Sequence, residues 1–315
     1  MIIDFSAHHI PKEIIAKIQQ TLSGKGKGDV YSNADPEFRL SLMDKYGVDV
    51  QAVSLSVPRL RFFTDTAVSE ICRLSNTLNY ALCKAYPHRF VNICIFSLLD
   101  LKGALKELEY AINELDCRGV TIATNQRGNG LDSREYDPFY EKVVQHELPI
   151  LLHPMSWEGY PLVDMEAGWR MMHVFGWPFD TTQAMWRLIF GGVIDRFPSL
   201  KIVTHHLGAM FPYFSRRVEQ NYLKFLKGRL PRPISEYWSS FYGDSAVDGT
   251  ASAYACGYAF FGPDRMVFGT DYPYGLEEGE DFIRENLTGI RNMAIPDEEK
   301  KKILGENAKK LLKIK

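Results

Sequence analysis

The sequence predicts an α/β fold built on a parallel β-sheet. Short apolar runs rich in β-branched residues alternate with amphipathic helical segments at a spacing of about 30 residues. Pro149–Pro154 is apolar almost throughout, as expected for a strand covered on both faces. No stretch rich in Pro, Gly or Ser divides the chain, so we expect a single domain spanning residues 1–315.

Eight segments carry the strand pattern. They are Ile2–Phe5, Val50–Ser56, Phe90–Phe96, Arg118–Thr124, Pro149–Pro154, Lys201–Thr204, Ser239–Ser245 and Arg265–Pro273. Helices are predicted at Thr64–Tyr86, Leu101–Leu115, Asp137–His146, Pro178–Phe190, from Phe214, and at Ile303–Leu312. Asp137 is the expected N-cap of its helix. The polar, glycine-containing segment Pro11–Asp35 is interpreted as a surface excursion.

Composition excludes several classes of protein. The formal net charge of -2 gives no reason to expect a nucleic-acid partner. No apolar run reaches the roughly 20 residues that span a membrane, and the first residues lack the pattern of a signal peptide. The five cysteines contain no C-x-x-C pair and are expected to be reduced thiols of a cytoplasmic protein. They are Cys72, Cys83, Cys94, Cys117 and Cys256.

The most specific pattern lies between Pro178 and Pro212. A helix is followed by Gly-Gly-Val, an acid-basic-Phe-Pro turn, a strand, and the motif His-x-Gly-x-x-x-Pro that begins at His206. This ordered series resembles the amidohydrolase-related decarboxylases, a group that includes aminocarboxymuconate semialdehyde decarboxylase and γ-resorcylate decarboxylase. The resemblance implies a (β/α)₈ TIM barrel whose chemistry lies at the carboxyl ends of the strands.

Candidate metal ligands end three of the predicted strands. They are His8, His153 and Asp271, and two imidazoles with one carboxylate suit an open catalytic Zn²⁺ site, with Mn²⁺ as the second choice. The family pattern in the first strand is Asp-x-His-x-His, whereas this chain has Asp4, Ser6 and His8. Because a serine hydroxyl is a poor zinc ligand, we expect weak or absent metal binding, and we expect Ser6→His to tighten it.

Two further histidines follow the sixth predicted strand. His206 matches the catalytic histidine of the family motif and is expected to act as a general acid or base beside the metal. Asp271 is expected to serve as a ligand, as a proton donor, or as both. Period-two alternation predicts that His205 points to the opposite side of its strand and is structural. His9, adjacent to His8, starts from the opposite strand face as well.

Substrate-binding candidates are two arginines and one histidine. Arg59 follows a strand end and is favoured over Arg39, while Arg217 lies five residues after Pro212, where the family places an arginine. His173 belongs to an aromatic insertion after the fifth strand, Trp157–Trp177, which is interpreted as a lid or a subunit contact. The resemblance and the insertion together predict a homodimer or homotetramer.

The resemblance implies a non-oxidative decarboxylase, a carbon–carbon lyase, acting on an aromatic or unsaturated carboxylic acid of small size. The alternative is a metal-dependent hydrolase or hydratase of a cyclic ester, an amide or an unsaturated diacid, because the same groups can activate water. A third hypothesis, a catalytically silent barrel, is suggested by Ser6 alone. It is opposed by the joint presence of His8, His153, His206 and Asp271.

Overall fold

Eight parallel strands form one sheet in the order of the chain. The computed structural model describes residues 1–21, 35–155 and 171–315. We number the barrel strands β1 (Ile3–His8), β2 (Val50–Ser54), β3 (Phe90–Phe96), β4 (Gly119–Ala123), β5 (Ile150–His153), β6 (Ile202–Thr204), β7 (Phe241–Asp244) and β8 (Met266–Val267). Each strand pairs in parallel with the next one along the chain, from β1 to β8. The predicted (β/α)₈ architecture is confirmed.

Helices connect the strands. The α-helices are α1 (Lys12–Thr21), α2 (Pro36–Tyr46), α3 (Asp65–Ala85), α4 (Leu101–Glu114), α5 (Asp137–Gln145), α6 (Trp177–Phe190), α7 (Val193–Arg196), α8 (Phe211–Asn221), α9 (Ala251–Phe261), α10 (Glu280–Arg291), α11 (Asp297–Lys301) and α12 (Asn307–Leu311). Three π-helical turns are Met172–Gly176, Tyr222–Leu226 and Lys302–Glu306. The 3₁₀ turns include Val57–Phe62 and His206–Gly208. None of these helices is both long and apolar enough to cross a bilayer, within the described ranges.

Three expectations about local structure are wrong. Residues 12–21 of the predicted surface excursion form α1, because Ile14, Ile15 and Ile18 share one face and are buried; residues 22–34 lie outside the described part of the chain. Asp137 is the first residue of α5, and its N-cap is Tyr136. Helix α8 begins at Phe211 because Pro212 is well suited to a first helical turn.

Hydrogen bonds close the sheet between its first and last strands. The amide of Phe5 donates to the carbonyl of Phe268 (2.8 Å), and the amide of Asp271 donates to the carbonyl of Ser6 (2.9 Å). The buried carboxylate of Asp4 joins three segments, because it accepts from the Gln51 side chain (2.9 Å) and from the Thr270 hydroxyl (2.6 Å). Burial raises the pKa of Asp4 to about 6, against the opposing effect of these hydrogen bonds.

Three clusters of buried apolar side chains pack the barrel. One cluster joins strand residues to the surrounding helices. Another brings together Ile3, Val50, Leu151 and other residues of β1, β2, β3, β5, β6 and β8 with Leu311 of α12. The carboxyl ends of all eight strands therefore meet at one edge of a rigid frame, which is where ligands bind in parallel barrels.

Candidate metal centre

Three histidines and one aspartate converge at the carboxyl ends of the strands. His8 ends β1, His153 ends β5, His205 follows β6, and Asp271 follows β8. One ligand atom from each lies within 4.8 Å of all the others, so the group could hold a metal ion. The predicted ligands His8, His153 and Asp271 are thus brought together, and His205 joins them.

The separations suit a divalent ion. Four ligand atoms about 2.1 Å from a tetrahedral Zn²⁺ ion would lie about 3.4 Å from one another. The Nε2 atoms of His8 and His153 are 3.3 Å apart. Oδ1 of Asp271 lies 2.9 Å from Nε2 of His8 and 3.4 Å from Nε2 of His205. These three separations are therefore close to those expected between ligands of one ion.

In two of the imidazoles, Nδ1 makes a contact that fixes the orientation of the ring and leaves Nε2 to face the cluster. Nδ1 of His153 lies 2.9 Å from the carbonyl oxygen of Pro154, which can only accept, so Nδ1 carries the hydrogen and Nε2 presents a lone pair. Nδ1 of His205 lies 2.5 Å from Oδ2 of Asp244. A carboxylate or carbonyl behind the ring is the usual support of a metal-binding histidine.

The charges of the cluster shift the pKa values of its members. Burial, together with repulsion from His205 and His8, holds the pKa of His153 well below its usual range. Burial also opposes protonation of His205, but the carboxylates of Asp244 and Asp271 outweigh it and raise the pKa of that imidazole to about 10. Burial disfavours the Asp271 carboxylate, yet hydrogen bonds from His205, His206 and His8 hold its pKa well below the ordinary value. The site is thus arranged to accept positive charge.

The expectation that His205 points away from the site is wrong. Strand β6 ends at Thr204, so period-two alternation no longer applies at the next residue. His206, Leu207, Gly208 and Ala209 all have positive φ, between 50° and 69°. This left-handed turn stacks the His205 and His206 rings on one side of the chain, with centroids 4.2 Å apart and planes at 15°.

Asp244, at the end of β7, is a site residue that the sequence interpretation missed. It is fully buried; Oδ2 accepts from the Ser6 hydroxyl (2.7 Å), and Oδ1 accepts from the His206 amide (2.8 Å). Burial raises the pKa of this carboxyl, but the His205 charge and hydrogen bond outweigh it and lower the value. The position of Asp244 near the carboxyl end of a predicted strand could have identified it from the sequence. The Ser6 hydroxyl is therefore engaged with the Asp244 carboxylate.

His206 lies at the accessible side of the cluster. Its side chain is 25% exposed, whereas those of His8 and His205 are fully buried. Its Nε2 atom is 3.8 Å from Oδ2 of Asp271. The imidazole can therefore exchange protons with solvent while remaining next to the carboxylate, which fits the predicted role of a general acid or base.

The predicted substrate-binding residues have different surroundings. Arg59 is 8% exposed in the turn Val57–Phe62, and it hydrogen-bonds Tyr274, whose ring centroid is 5.7 Å from that of His8. Arg217 is exposed on α8. His173 is exposed in the turn Met172–Gly176 and packs on Trp177, with ring centroids 4.1 Å apart. Residues 156–170 of the aromatic insertion lie outside the described part of the chain.

His9 and Arg39 have structural contacts. Nδ1 of His9 is 2.7 Å from Oδ1 of Asn79, and burial together with the Arg39 charge lowers the pKa of His9 to about 4. The fully buried guanidinium of Arg39 donates to the His8 carbonyl and lies over the Tyr272 ring, 4.5 Å from its centroid. Arg39 thus supports the backbone of β1, whereas Arg59 contacts Tyr274 beside His8.

Known proteins resemble this chain over nearly its full length. The γ-resorcylate decarboxylase of Rhizobium sp. (strain MTP-10005) is 26% identical over 296 residues, which cover 88% of this chain and 86% of the relative. The 2-amino-3-carboxymuconate-6-semialdehyde decarboxylase of Dictyostelium discoideum is 28% identical over 304 residues, covering 94% and 82%. The resemblance inferred from the motif at His206 is therefore confirmed.

Solved structures share the fold. The 5-carboxyvanillate decarboxylase of Novosphingobium aromaticivorans, crystallised with manganese and 4-hydroxy-3-methoxy-5-nitrobenzoic acid, has a TM-score of 0.86 at 22% identity. The match covers 100% of this chain and 96% of that one. The family model described as Amidohydrolase matches residues 3–314. Because this match takes in nearly the whole sequence, the protein belongs to the Amidohydrolase family.

Proposed function

We propose that the protein is a metal-dependent carboxy-lyase, a single barrel domain that removes CO₂ from a small aromatic or unsaturated carboxylic acid. The observation that carries the proposal is the convergence of three imidazoles and the Asp271 carboxylate at the barrel mouth, beside the accessible His206. The relatives that match along the whole chain are decarboxylases. The rival hydrolase or hydratase has no comparable support among them.

We propose that a divalent cation is held by His8, His153 and Asp271. Imidazole and carboxylate donors favour Zn²⁺, and Mn²⁺, which is bound in the structure of the carboxyvanillate decarboxylase, is the second candidate. When bound, the ion would supply positive charge that polarises a substrate oxygen and stabilises developing negative charge. Metal analysis of the purified protein distinguishes the two ions.

The residues of this chain then supply the proton. Breaking the bond between the substrate carbon and its carboxylate releases CO₂ and leaves the electron pair on that carbon, which must accept one proton. We assign this proton to the pair formed by His206 and Asp271. The imidazole exchanges protons with solvent at its exposed side, and its Nε2 atom lies 3.8 Å from Oδ2 of the adjacent carboxylate.

The experiment that tests the function is CO₂ release from a panel of hydroxybenzoates and muconate-like acids, run in D₂O. We expect stoichiometric CO₂ and one deuterium at the carbon that carried the carboxylate. Hydrolysis of esters, lactones or amides in a parallel panel, without CO₂ release from any acid, would support the hydrolase alternative instead.

Arg59 is our candidate for binding the substrate carboxylate. It is the arginine that hydrogen-bonds Tyr274 next to His8. Replacing it with Gln should raise KM by about 10- to 100-fold, because a hydrogen bond to a charged group contributes roughly 1.5–3 kcal/mol. Arg61→Gln changes an exposed arginine of the same turn and should leave KM unaltered. An unchanged KM in Arg59→Gln would remove Arg59 from the binding site.

We propose that the protein forms a homodimer or homotetramer. Apart from Met1 and Leu276, the exposed large hydrophobic side chains of the described residues are confined to three segments, Met172–Gly176, α8 and Tyr222–Leu226. Phe175 is 52% exposed and Phe225 is 66% exposed. Such concentrations of apolar surface mark contact sites. Arg217 is on α8 and His173 is in the first segment, so we propose that the association brings them to the substrate.

Sedimentation at micromolar concentration should show a dimer or tetramer of the 36.0 kDa chain. Introducing Phe175→Glu and Phe225→Glu should shift the protein towards the monomer, because a charge would be buried in an apolar contact. Leu276→Glu is the control, since Leu276 is 96% exposed and lies outside the three segments. A monomeric wild type would contradict the proposal.

We further propose that the protein works in a reducing compartment, the cytoplasm. All five cysteines are free thiols, and burial raises the pKa of Cys72 and of Cys83 to about 12. Thiols of this kind are chemically quiet and give no disulfide framework. Cell fractionation that recovered the protein from an oxidising compartment would contradict this placement.

A further inference from the structure

The side chain of Ser6 faces a neighbour other than the metal ligands. Ser6 lies two residues before His8 on β1, and its buried hydroxyl donates to Oδ2 of Asp244 at 2.7 Å. Gly269 packs closely against Ser6, since a Cβ atom at residue 269 would lie only 2.1 Å from the Ser6 hydroxyl oxygen. The space around the side chain at position 6 is therefore restricted. A larger side chain at position 6 would therefore collide with its surroundings while Asp244 and His205 keep their places.

His205 supplies the fourth donor from another strand. Its ring lies 4.9 Å from the ring of His153 and 5.9 Å from that of His8, centroid to centroid, and Nε2 lies 3.4 Å from Oδ1 of Asp271. The side chain is fully buried, so solvent does not compete for the nitrogen. A buried imidazole nitrogen directed at two other imidazoles and a carboxylate has the position of a ligand.

A chain of contacts fixes the orientation of His205. The Ser6 hydroxyl and Nδ1 of His205 both contact Oδ2 of Asp244, while Oδ1 of Asp244 accepts from the His206 amide. Asp244 is thereby held by β1 and by the turn after β6 at once. With Nδ1 directed to the carboxylate, Nε2 is the nitrogen that can bind a cation, which must displace the proton that the ring holds there in the absence of metal.

We propose that His205 is the fourth ligand of the metal, and that Asp244, held by Ser6, positions it. The proposal rests on the metal site assigned above and extends it. The serine at position 6 is then not a missing ligand. It holds Asp244, and Asp244 orients His205, which supplies a ligand from the end of β6. The alternative is that His205 is only an ion-pair partner of Asp244 and Asp271, with no contact to the cation.

The test measures metal binding directly. Zn²⁺ and Mn²⁺ affinities of the chelator-stripped protein are determined by competition with a chromophoric chelator, and Co²⁺ substitution reports the ligand set through its visible spectrum. We expect His205→Ala to weaken affinity by more than about 100-fold and to change the Co²⁺ spectrum, since loss of a direct ligand should exceed the 10- to 100-fold effect of supporting residues. Asp244→Asn and Ser6→Ala should fall in that smaller range.

His206→Ala is the matched control, because His206 is the next residue and its ring stacks on that of His205. It should keep both the wild-type metal affinity and the wild-type Co²⁺ spectrum. Circular dichroism and thermal unfolding confirm that each variant is folded. A second variant, Ser6→His combined with His205→Ala, places an imidazole on β1 in the space that the ring leaves, and it should recover part of the lost affinity.

The outcomes separate the two proposals. If wild type binds no divalent cation, the metal site assigned above fails, and the role of His205 fails with it. If wild type binds a cation and folded His205→Ala binds it equally well with the same Co²⁺ spectrum, only the assignment of His205 is overturned. Equal losses in His205→Ala and His206→Ala would also overturn it, because the effect would then belong to the turn as a whole.

Discussion

Replacing Asp271 or His153 with alanine should abolish turnover and leave the barrel folded. The Asp271 carboxylate contacts the imidazoles of His8 and His205 and lies 3.8 Å from that of His206, so its loss removes the negative charge that they share. His153 presents a lone pair from the end of β5, and alanine offers no donor there. Two of the assigned metal ligands are tested in this way, and we expect activity below detection by CO₂ release.

Folding should survive because the backbone at these positions is held by other groups. The Asp271 amide donates to the Ser6 carbonyl, and alanine keeps this donor, although it is less well suited than aspartate to the positive φ of 62° at this position. Asp264→Asn, a change at a surface acid paired with Lys302, is the control for general effects of removing a carboxylate. Near wild-type turnover in either alanine variant would show that the site is wrongly assigned.

Changing His206 to asparagine should lower kcat by about 10²- to 10⁴-fold, the usual contribution of a general acid or base. Asparagine can still donate a hydrogen bond, but it cannot deliver a proton at neutral pH. It also tolerates the positive φ of 55° at this position better than most residues. We therefore expect a folded enzyme with intact metal content, and a KM close to that of wild type.

His88→Asn is the matched control, because His88 also has positive φ and is exposed away from the cluster. It should keep full turnover. Steady-state kinetics with metal analysis of the same samples separates the possible roles of His206. Collapse of metal content in His206→Asn would identify His206 as a ligand, and unchanged kcat would remove it from the reaction.

The strands and six of the twelve α-helices in the described residues could be predicted, because apolar periodicity is a local property of the sequence; α2, α9 and α10 were among those not predicted. Strand β3 has the bounds that its apolar run predicts, Phe90–Phe96. Helix α1 was missed because its three isoleucines stand among lysines and glutamines beside a glycine-rich stretch. The segment is polar on average, although these isoleucines form a short apolar face on the helix.

The convergence of His8, His153 and Asp271 could be predicted because each lies at or after the carboxyl end of a strand, at the same edge of the sheet. The place of His205 could not, because it depends on a run of positive φ values that begins at the next residue. The pairing of Ser6 with Asp244 joins positions that are 238 residues apart. No local pattern connects them, so the expectation that Ser6→His tightens the site did not take account of what surrounds the serine.

The closure of the sheet has a consequence for how the chain is made. Asp4 is synthesised well before its partner Thr270, which lies 266 residues later in the chain. Until that segment appears, strand β1 has a neighbour on one side only and a carboxylate without its last hydrogen bonds. Contacts so distant in sequence form late, after their loop has been ordered. Strand β1 is thus completed only after the segment that follows β8 has been synthesised, and the cluster at the carboxyl ends of the strands cannot assemble before then.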